Sequence, residues 1–214
     1  MKDAPVLLHL GCGIVAPKGW INIDNSWNAY LHKFPLIISF LKSAHLVPGR
    51  YLDIPWPKNI LRFDIRKRLP FADNSVDGIY SADVLEHLTR SEGINLIREC
   101  YRVLKHDKSV RFIVPDLVEC VKDCRDADTL LASLQICPDY DASSLAERIY
   151  FLFYQPYIHK WMYDKKSLSL RLKNAGFTHI RLCGLYESRI PKIRLVERRK
   201  RLLKYSFCIE AEKA

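Results

Sequence analysis

The stretch Val6 to Asp24, VLLHLGCGIVAPKGWINID, decides how this chain is read. An apolar run (Val6, Leu7, Leu8, Leu10) ends in Gly11-Cys12-Gly13, and a second short run, Trp20 to Ile23, stops at Asp24. A strand, a glycine turn and a second strand closed by an acid form the layout of a nucleotide-binding crevice. Glycines let the backbone turn sharply and approach a ligand, and a carboxylate at the next strand's end can accept from both ribose hydroxyls. Gly11 to Ala16 formally satisfies G-x-G-x-x-A, yet Pro17 and Gly19 follow where a dinucleotide enzyme runs a full helix. Asp24 also arrives only thirteen residues after Gly11, against about twenty for a complete crossover. A hydride-transfer enzyme is therefore disfavoured.

Downstream, ILRFD (60–64) reads as a short strand ending at Asp64, and Asp73-Asn74-Ser75 as a turn before a strand VDGIY (76–80). Ser81 to Leu88 opens a helical segment. Thr89-Arg90-Ser91-Glu92 has capping-box spacing and starts a helix whose apolar face is Ile94, Ile97, Tyr101 and Leu104. Lys105 to Lys108 is a turn and VRFIV (110–114) a strand stopped by Pro115-Asp116. Leu117 to Tyr157 is mostly helical, Tyr163 to Gly176 a helix with a glycine stop, Thr178 to Leu182 a strand and Tyr205 to Ala211 a last strand. Alternating strands and helices predict an α/β fold with a doubly wound, mostly parallel sheet. The 25–58 stretch, aromatic and proline-rich around a helix at Leu36–Leu46, is either a lid or a core-packing arm.

At 214 residues and 49% apolar, the chain is expected to form one domain spanning 1–214, with insertions at about 25–58 and 117–160. Met1 to Pro5 runs straight into the first strand without a leader pattern, and the apolar stretch at 34–41 is far shorter than a bilayer span. A soluble, cytoplasmic protein with no transmembrane segment is expected. Seven cysteines (12, 100, 120, 124, 137, 183 and 208) fit reduced, mostly buried thiols. Cys120 and Cys124, one helical turn apart, lack the partners of a zinc site, so no metal is assigned. The net charge of +10 is uneven, because residues 189–204 hold eight basic side chains against Glu197 alone. The rest of the chain is near-neutral, unlike a dedicated nucleic-acid binder.

LHLGCG, INID, FDIRKRLPFADNSVDGIYSADVLEHL, IRECYRVLKHDKSVRFIVPDL and LSLRLKNAGF together resemble a class I S-adenosylmethionine-dependent methyltransferase. The run LPFADNSVDGIYSADVLEHL is similar to the type 11 group, which contains many small-molecule and sugar-modifying enzymes. The likeness covers residues 5–116 well and 160–183 loosely. It implies a seven-stranded sheet with an antiparallel last strand, and S-adenosylmethionine as cofactor. It places Gly11, Cys12 and Gly13 under the methionine part, Asp24 on the ribose, Asp64 and Ile65 at the adenine, and Ser81, Ala82 and Val84 by the sulfonium. The chain departs from the family in lacking a helix after Gly13, so the cofactor's carboxylate must be held by loop amides such as those of Ile14 to Ala16.

Methyl transfer from a sulfonium asks of the protein alignment, exclusion of water and, for a hydroxyl acceptor, a base. Three residues are candidates for a base or acceptor-orienting group: His87 in SADVLEHL, His159 in YIHKWMYD and Asp116 at the end of the fifth strand. The insertion at 117–163, with aromatics at 150, 151, 153, 154, 157, 161 and 163, is the expected acceptor wall, although helical spacing sends part of that stripe to the core. The implied activity is methyl transfer to a small-molecule or glycan acceptor, at oxygen. An RNA methyltransferase, favoured by the basic segment, and a non-catalytic binding protein that keeps the fold remain open. As a helix, 192–204 would turn Ile193, Val196 and Leu203 inward and its charges outward. Oligomeric state is not legible.

Overall fold

The computed structural model describes residues 4–44, 53–122, 124–134, 158–197 and 205–214. In chain order the elements are β1 (Leu7–Leu10), β2 (Ile21–Asp24), α1 (Trp27–Leu31), α2 (Pro35–Ser43), β3 (Ile60–Arg62) and β4 (Val76–Ala82). A 3-10 turn (Leu85–His87) leads to α3 (Arg90–Val103), β5 (Leu104–Pro115), α4 (Leu117–Lys122), α5 (Ala127–Leu134) and α6 (Lys165–Asn174). They are followed by β6 (Phe177–Leu182), a second 3-10 turn (Ile193–Leu195) and β7 (Ser206–Lys213). The seven strands form one sheet in the order β3-β2-β1-β4-β5-β7-β6. Neighbours among β1 to β5 pair in parallel, whereas β7 runs antiparallel to both β5 and β6. The expected doubly wound sheet and its antiparallel closing strand are both present.

Period-2 alternation sends side chains to two buried faces. On one, Leu8, Leu10, Ile23, Ile79, Phe112 and Ile209 pack beneath α3 and α6. Helix α3 starts where the capping box predicts, with Thr89 and Glu92 each accepting the other's backbone amide. Its buried stripe is Gly93, Leu96, Ile97, Cys100 and Val103, one step round from the expected Ile94 face. Leu104 belongs to β5, and the expected turn at 105–108 is an irregularity inside that strand, between the pairs Val76–Leu104 and Gly78–Ser109. The helical segment expected at 81–88 is also corrected: β4 runs on to Ala82, and only one 3-10 turn follows.

The other face is covered unusually. Residues 11–20 join β1 to β2 without a helix, although adjacent parallel strands ordinarily take a helical crossover of a dozen or more residues. Over Leu7, Tyr80, Ile113 and Cys208 lie instead Trp20, Ile190, Ile193 and Val196. Ile190 sits so close that a β-carbon on Gly78 would come within 2.8 Å of its Cγ2. The inward half of the basic segment thus covers the sheet where the missing helix would stand. Ile193 and Val196 point inward as expected, but the described part is a 3-10 turn, and 198–204 lies outside the described residues.

Arg111, on this same face of β5, holds the connector down. It is fully buried, with Nε 2.8 Å from Glu197 Oε1. Nη1 donates to Glu187 O (2.9 Å) and Nη2 to Gly184 O (2.7 Å), while Glu210 Oε2 stands 3.5 Å away. Glu210 in turn accepts from Arg181 Nη2 (2.6 Å) and the Arg189 amide (3.1 Å). The cation therefore joins both buried carboxylates to two connector carbonyls.

The 25–58 insertion makes its described packing through its ends. Ala29, Ile60 and Cys12 form a small cluster with Ala16 and Trp56, and Arg62 lies over the rings of Trp27 and Tyr30 at 4.7 Å each. None of the nine residues of α2 is buried, and Phe40 is 64% exposed. The six described cysteines are free thiols; Cys137 lies outside the described residues, as do the aromatics at 150–157. Among the described residues no helix is long and apolar enough to cross a membrane.

Truncating one partner of a buried ion pair leaves the others uncompensated and costs about 3–5 kcal/mol. Arg111→Ala should lose about that much in urea unfolding, while Arg189→Ala, whose side chain is exposed, should lose less than about 1 kcal/mol. Equal losses would mean that the buried network does not hold the connector.

Candidate functional site

Because β1 to β5 run parallel, their carboxyl ends share one edge, and chain direction across the sheet reverses between β1 and β4, where such sheets bind ligands. Gly11 leaves β1 at φ +65°, and a β-carbon there would lie 2.2 Å from Val84 Cγ2. Only glycine permits both that backbone and that approach. Gly13 also has positive φ (+52°), and a β-carbon on it would meet nothing within 4 Å, so the turn faces open space.

Asp24 ties this turn to β2. Its Oδ2 accepts the Gly13 amide at 2.8 Å and its Oδ1 the Ser26 amide at 2.7 Å, while the Cys12 amide reaches Ile23 O at 3.0 Å. Burial pushes the Asp24 carboxyl above its usual range, against these amide bonds, which lower it. Two ionised carboxylate oxygens offer about four acceptor positions, so room remains for the paired hydroxyls of a ribose. Turn, open space and acid together fit a ribose-bearing ligand. Buried Asn22, which the sequence reading missed, holds the helix-less loop by donating to Pro17 O and Trp20 O, both at 3.1 Å. Of the loop amides expected to hold a carboxylate, that of Val15 is engaged by Cys12 O. Burial, with the Asp24 charge second, pushes the Cys12 thiol up to about 12, making it a neutral filler beside the turn.

Elsewhere the placements differ from a simple lining. Asp64 is held by Arg66, whose Nε and Nη2 reach its two oxygens at 2.8 Å each, and this pairing is the main cause of its lowered pKa. Ile65 is half-buried against the main core. Ser81 is buried and donates to Leu10 O at 3.2 Å, bracing β4 against β1, while Ala82 packs on the second face. Asp116 has both oxygens engaged: Oδ1 caps α4 through the Val118 amide (3.1 Å) and Oδ2 pairs with Lys165 Nζ (3.2 Å).

His87 and His159, by contrast, come together from positions 72 residues apart in the chain. Their ring centroids are 5.0 Å apart. The amides of Lys160 (2.7 Å) and Trp161 (3.2 Å) both donate to Glu86 O, pinning the 158–161 segment onto the turn after β4. His87 Nδ1 stands 3.3 Å from Ile158 O. Glu86, part of the same motif as His87, is buried with no hydrogen-bond partner for either carboxylate oxygen among the described residues. Burial, with Asp83 nearby, pushes its carboxyl well up, and burial pushes the His159 imidazole down. A buried acid beside an apolar-strand motif reads from sequence as a packing residue, and no periodicity brings position 159 to it.

Residues 39–112 match the family model described as a methyltransferase domain. No curated protein matches the sequence. Among solved structures, a SAM-dependent methyltransferase from Methanosarcina mazei is 17% identical with a TM-score of 0.53, the match covering 100% of this chain and 94% of that one. One from Archaeoglobus fulgidus is 17% identical at 0.51, over 99% and 87%. A third, from Thermotoga maritima and described as a possible histamine N-methyltransferase, is 13% identical at 0.51, over 100% and 84%. Of a longer Bordetella parapertussis chain the match spans 63%, with a TM-score of 0.48. The likenesses above 0.5 establish a shared fold.

A side chain at Gly11 must accept positive φ, at about 1–3 kcal/mol, as well as the contact with Val84. Gly11→Ala should therefore lower the melting temperature by several degrees. Adding Val84→Ala should recover only the steric part. Full recovery would mean that the backbone of the turn is unstrained.

Proposed function

We propose that this chain is a class I S-adenosylmethionine-dependent methyltransferase, a reading supported by the family-model match and the shared fold, and that it transfers the cofactor's methyl group to an oxygen of a small-molecule or glycan acceptor. The observation that carries the reading is the crevice where β1 and β4 part, with Gly11 against Val84, Gly13 beside open space and Asp24 on the turn. S-adenosylmethionine, when bound, supplies a methyl group activated on a sulfonium. Gly11, Cys12 and Gly13 hold its methionine part, Asp24 its ribose hydroxyls, and Asp64 with Ile65 the adenine. Ala82 and Val84, backed by Ser81, line the sulfonium side. Asp64 keeps Arg66 as its partner and reaches the ligand with its remaining acceptor positions.

The acceptor's oxygen is held at the end of β4, where His87 and His159 meet. Their imidazoles orient it for in-line attack, and the segments packed around them keep water out. The 25–58 insertion acts as a lid: α2 turns Leu36, Ile37 and Phe40 to solvent while the insertion's ends stay anchored beside Cys12. The role of acceptor cap is assigned to the 117–160 insertion, of which 123 and 135–157 lie outside the described residues.

A second reading, RNA as acceptor, is favoured by an open depression of about 490 Å³ that Lys18, Lys192 and Arg194 line together with Ile193 and Leu195. Phosphate contacts of that kind would make RNA binding weaken steeply with salt. Absence of RNA binding at low salt removes this reading.

Calorimetric titration with S-adenosylmethionine tests the proposal. The wild-type chain should bind one equivalent, and Asp24→Asn, which loses charge-assisted bonds of about 2 kcal/mol, should bind roughly 30-fold more weakly. No binding by a folded wild-type chain overturns the enzyme reading. The Asp24 pKa is raised, and hydroxyl donors favour the ionised carboxylate. Affinity should therefore fall on acidification from above the ordinary carboxylate value of about 3.9, and Asp24→Asn should flatten that dependence.

His87→Ala and His159→Ala should each slow methyl transfer by roughly 100-fold while leaving cofactor affinity intact. Asp116→Ala should lower stability more than turnover. Unchanged turnover in both histidine variants removes the acceptor site from this cluster.

A further inference from the structure

The cluster at the end of β4 contains more unsatisfied polarity than a packed turn explains. Glu86 is 1% exposed, and among the described residues both its carboxylate oxygens lack a hydrogen-bond partner. His159 is 8% exposed, and its Nδ1 is likewise without one. On the same segment, Trp161 Nε1 and the Tyr163 hydroxyl are buried without partners among the described residues. Leaving even one such group unmet costs about 1–3 kcal/mol, more if it is charged. A fold that buries several together leaves them for something to satisfy.

The residue types and their separations say what that is. One ligand atom from each of Glu86, His87 and His159 lies within 4.8 Å of the other two. Two imidazoles and one carboxylate are the three-ligand set of open-sided zinc centres and of facial-triad iron centres. Tetrahedral ligands at about 2.0–2.2 Å from an ion stand roughly 3.4 Å from one another. Side-chain rotations that close the widest gap by little more than an ångström would therefore complete the site. The supporting contacts are also those of a metal centre. His87 turns Nδ1 to the Ile158 carbonyl, which puts the coordinating lone pair on Nε2, and His159 has a backbone contact with Leu134. Such outer bonds orient metal-ligating histidines. The backbone is braced as well, because Glu86 O receives two amides from the segment that carries His159.

We infer that Glu86, His87 and His159 bind a divalent transition-metal ion, with a fourth position open toward the end of β4. Coordination explains why a carboxylate is buried here without a donor: the ion's charge offsets the desolvation that otherwise favours the neutral acid. It also changes how the two histidines serve an acceptor, since they would hold its oxygen through the ion as a Lewis acid. That use of the ion rests on the cofactor reading, whereas binding of the ion does not. The sequence reading assigned no metal because Cys120 and Cys124 lack zinc partners; Glu86-His87 and His159, more than seventy residues apart, match no ligand spacing.

The test uses the full chain, stripped with EDTA and titrated calorimetrically with zinc sulfate, alongside a separate titration with S-adenosylmethionine. One equivalent of zinc should bind. Glu86→Gln, close in shape, and His159→Ala should each weaken it by roughly 100-fold with far-ultraviolet circular dichroism unchanged. Cobalt substituted at the site should give a spectrum free of thiolate charge-transfer bands. Absence of zinc binding overturns the inference, as does zinc binding that survives both substitutions. A thiolate band, assigning the ion to cysteines, also overturns it. Should one variant fail to fold, the other and the cobalt spectrum still decide. Zinc binding without cofactor binding would remove the methyl-transfer reading and leave the metal site standing; cofactor binding without zinc would do the reverse.

Discussion

Ten residues between two adjacent parallel strands leave no room for a crossover helix, and much of this molecule follows from that constraint. The link must turn at once, so Gly11 and Gly13 take positive φ and Asp24 holds the turn by its amide. Asn22 then gathers the returning loop. The sheet face that a helix would cover goes to the β6–β7 connector, and Arg111 fastens it through Glu197 and Glu210. A segment that looks from its charge like a nucleic-acid patch is thereby half structural: Ile190, Ile193 and Val196 face the sheet, and its outward charges are partly matched, Arg189 by Glu212.

The order of elements was legible because it rests on local patterns. The glycine turn, the capping box at Thr89–Glu92 and the alternating last strand each need only a few neighbouring residues. The missing helix was also visible, in Pro17 and the short run to Asp24. The buried face of α3 lies one position round from the expected one and includes Gly93, where a β-carbon would come within 2.5 Å of the Tyr163 hydroxyl, a contact that no periodicity encodes. The turn expected at 105–108 became an irregularity in β5, since β4 continues to offer a partner on either side of it.

The crevice was more legible than the acceptor end. Gly11, Gly13 and Asp24 stand within one stretch of chain, whereas the cluster at the end of β4 depends on a contact between residues 86 and 160. His87 and His159 were separate candidates on sequence grounds, but their meeting and the unpartnered Glu86 between them are visible only in three dimensions. Asp116, chosen for its place at the strand end, turned out to be engaged by a cap and a lysine. Strand ends supply both ligand acids and helix caps, and sequence cannot tell which a given acid is.

The cofactor crevice and the cluster at the end of β4 are read as two ends of one site. A crystal structure of the full chain with S-adenosylhomocysteine tests that most directly. The ribose hydroxyls should lie on Asp24, the methionine part over Gly11 to Gly13, and the sulfur should face the side on which Glu86, His87 and His159 meet. A ligand bound elsewhere, or one whose sulfur points away from that cluster, would contradict it.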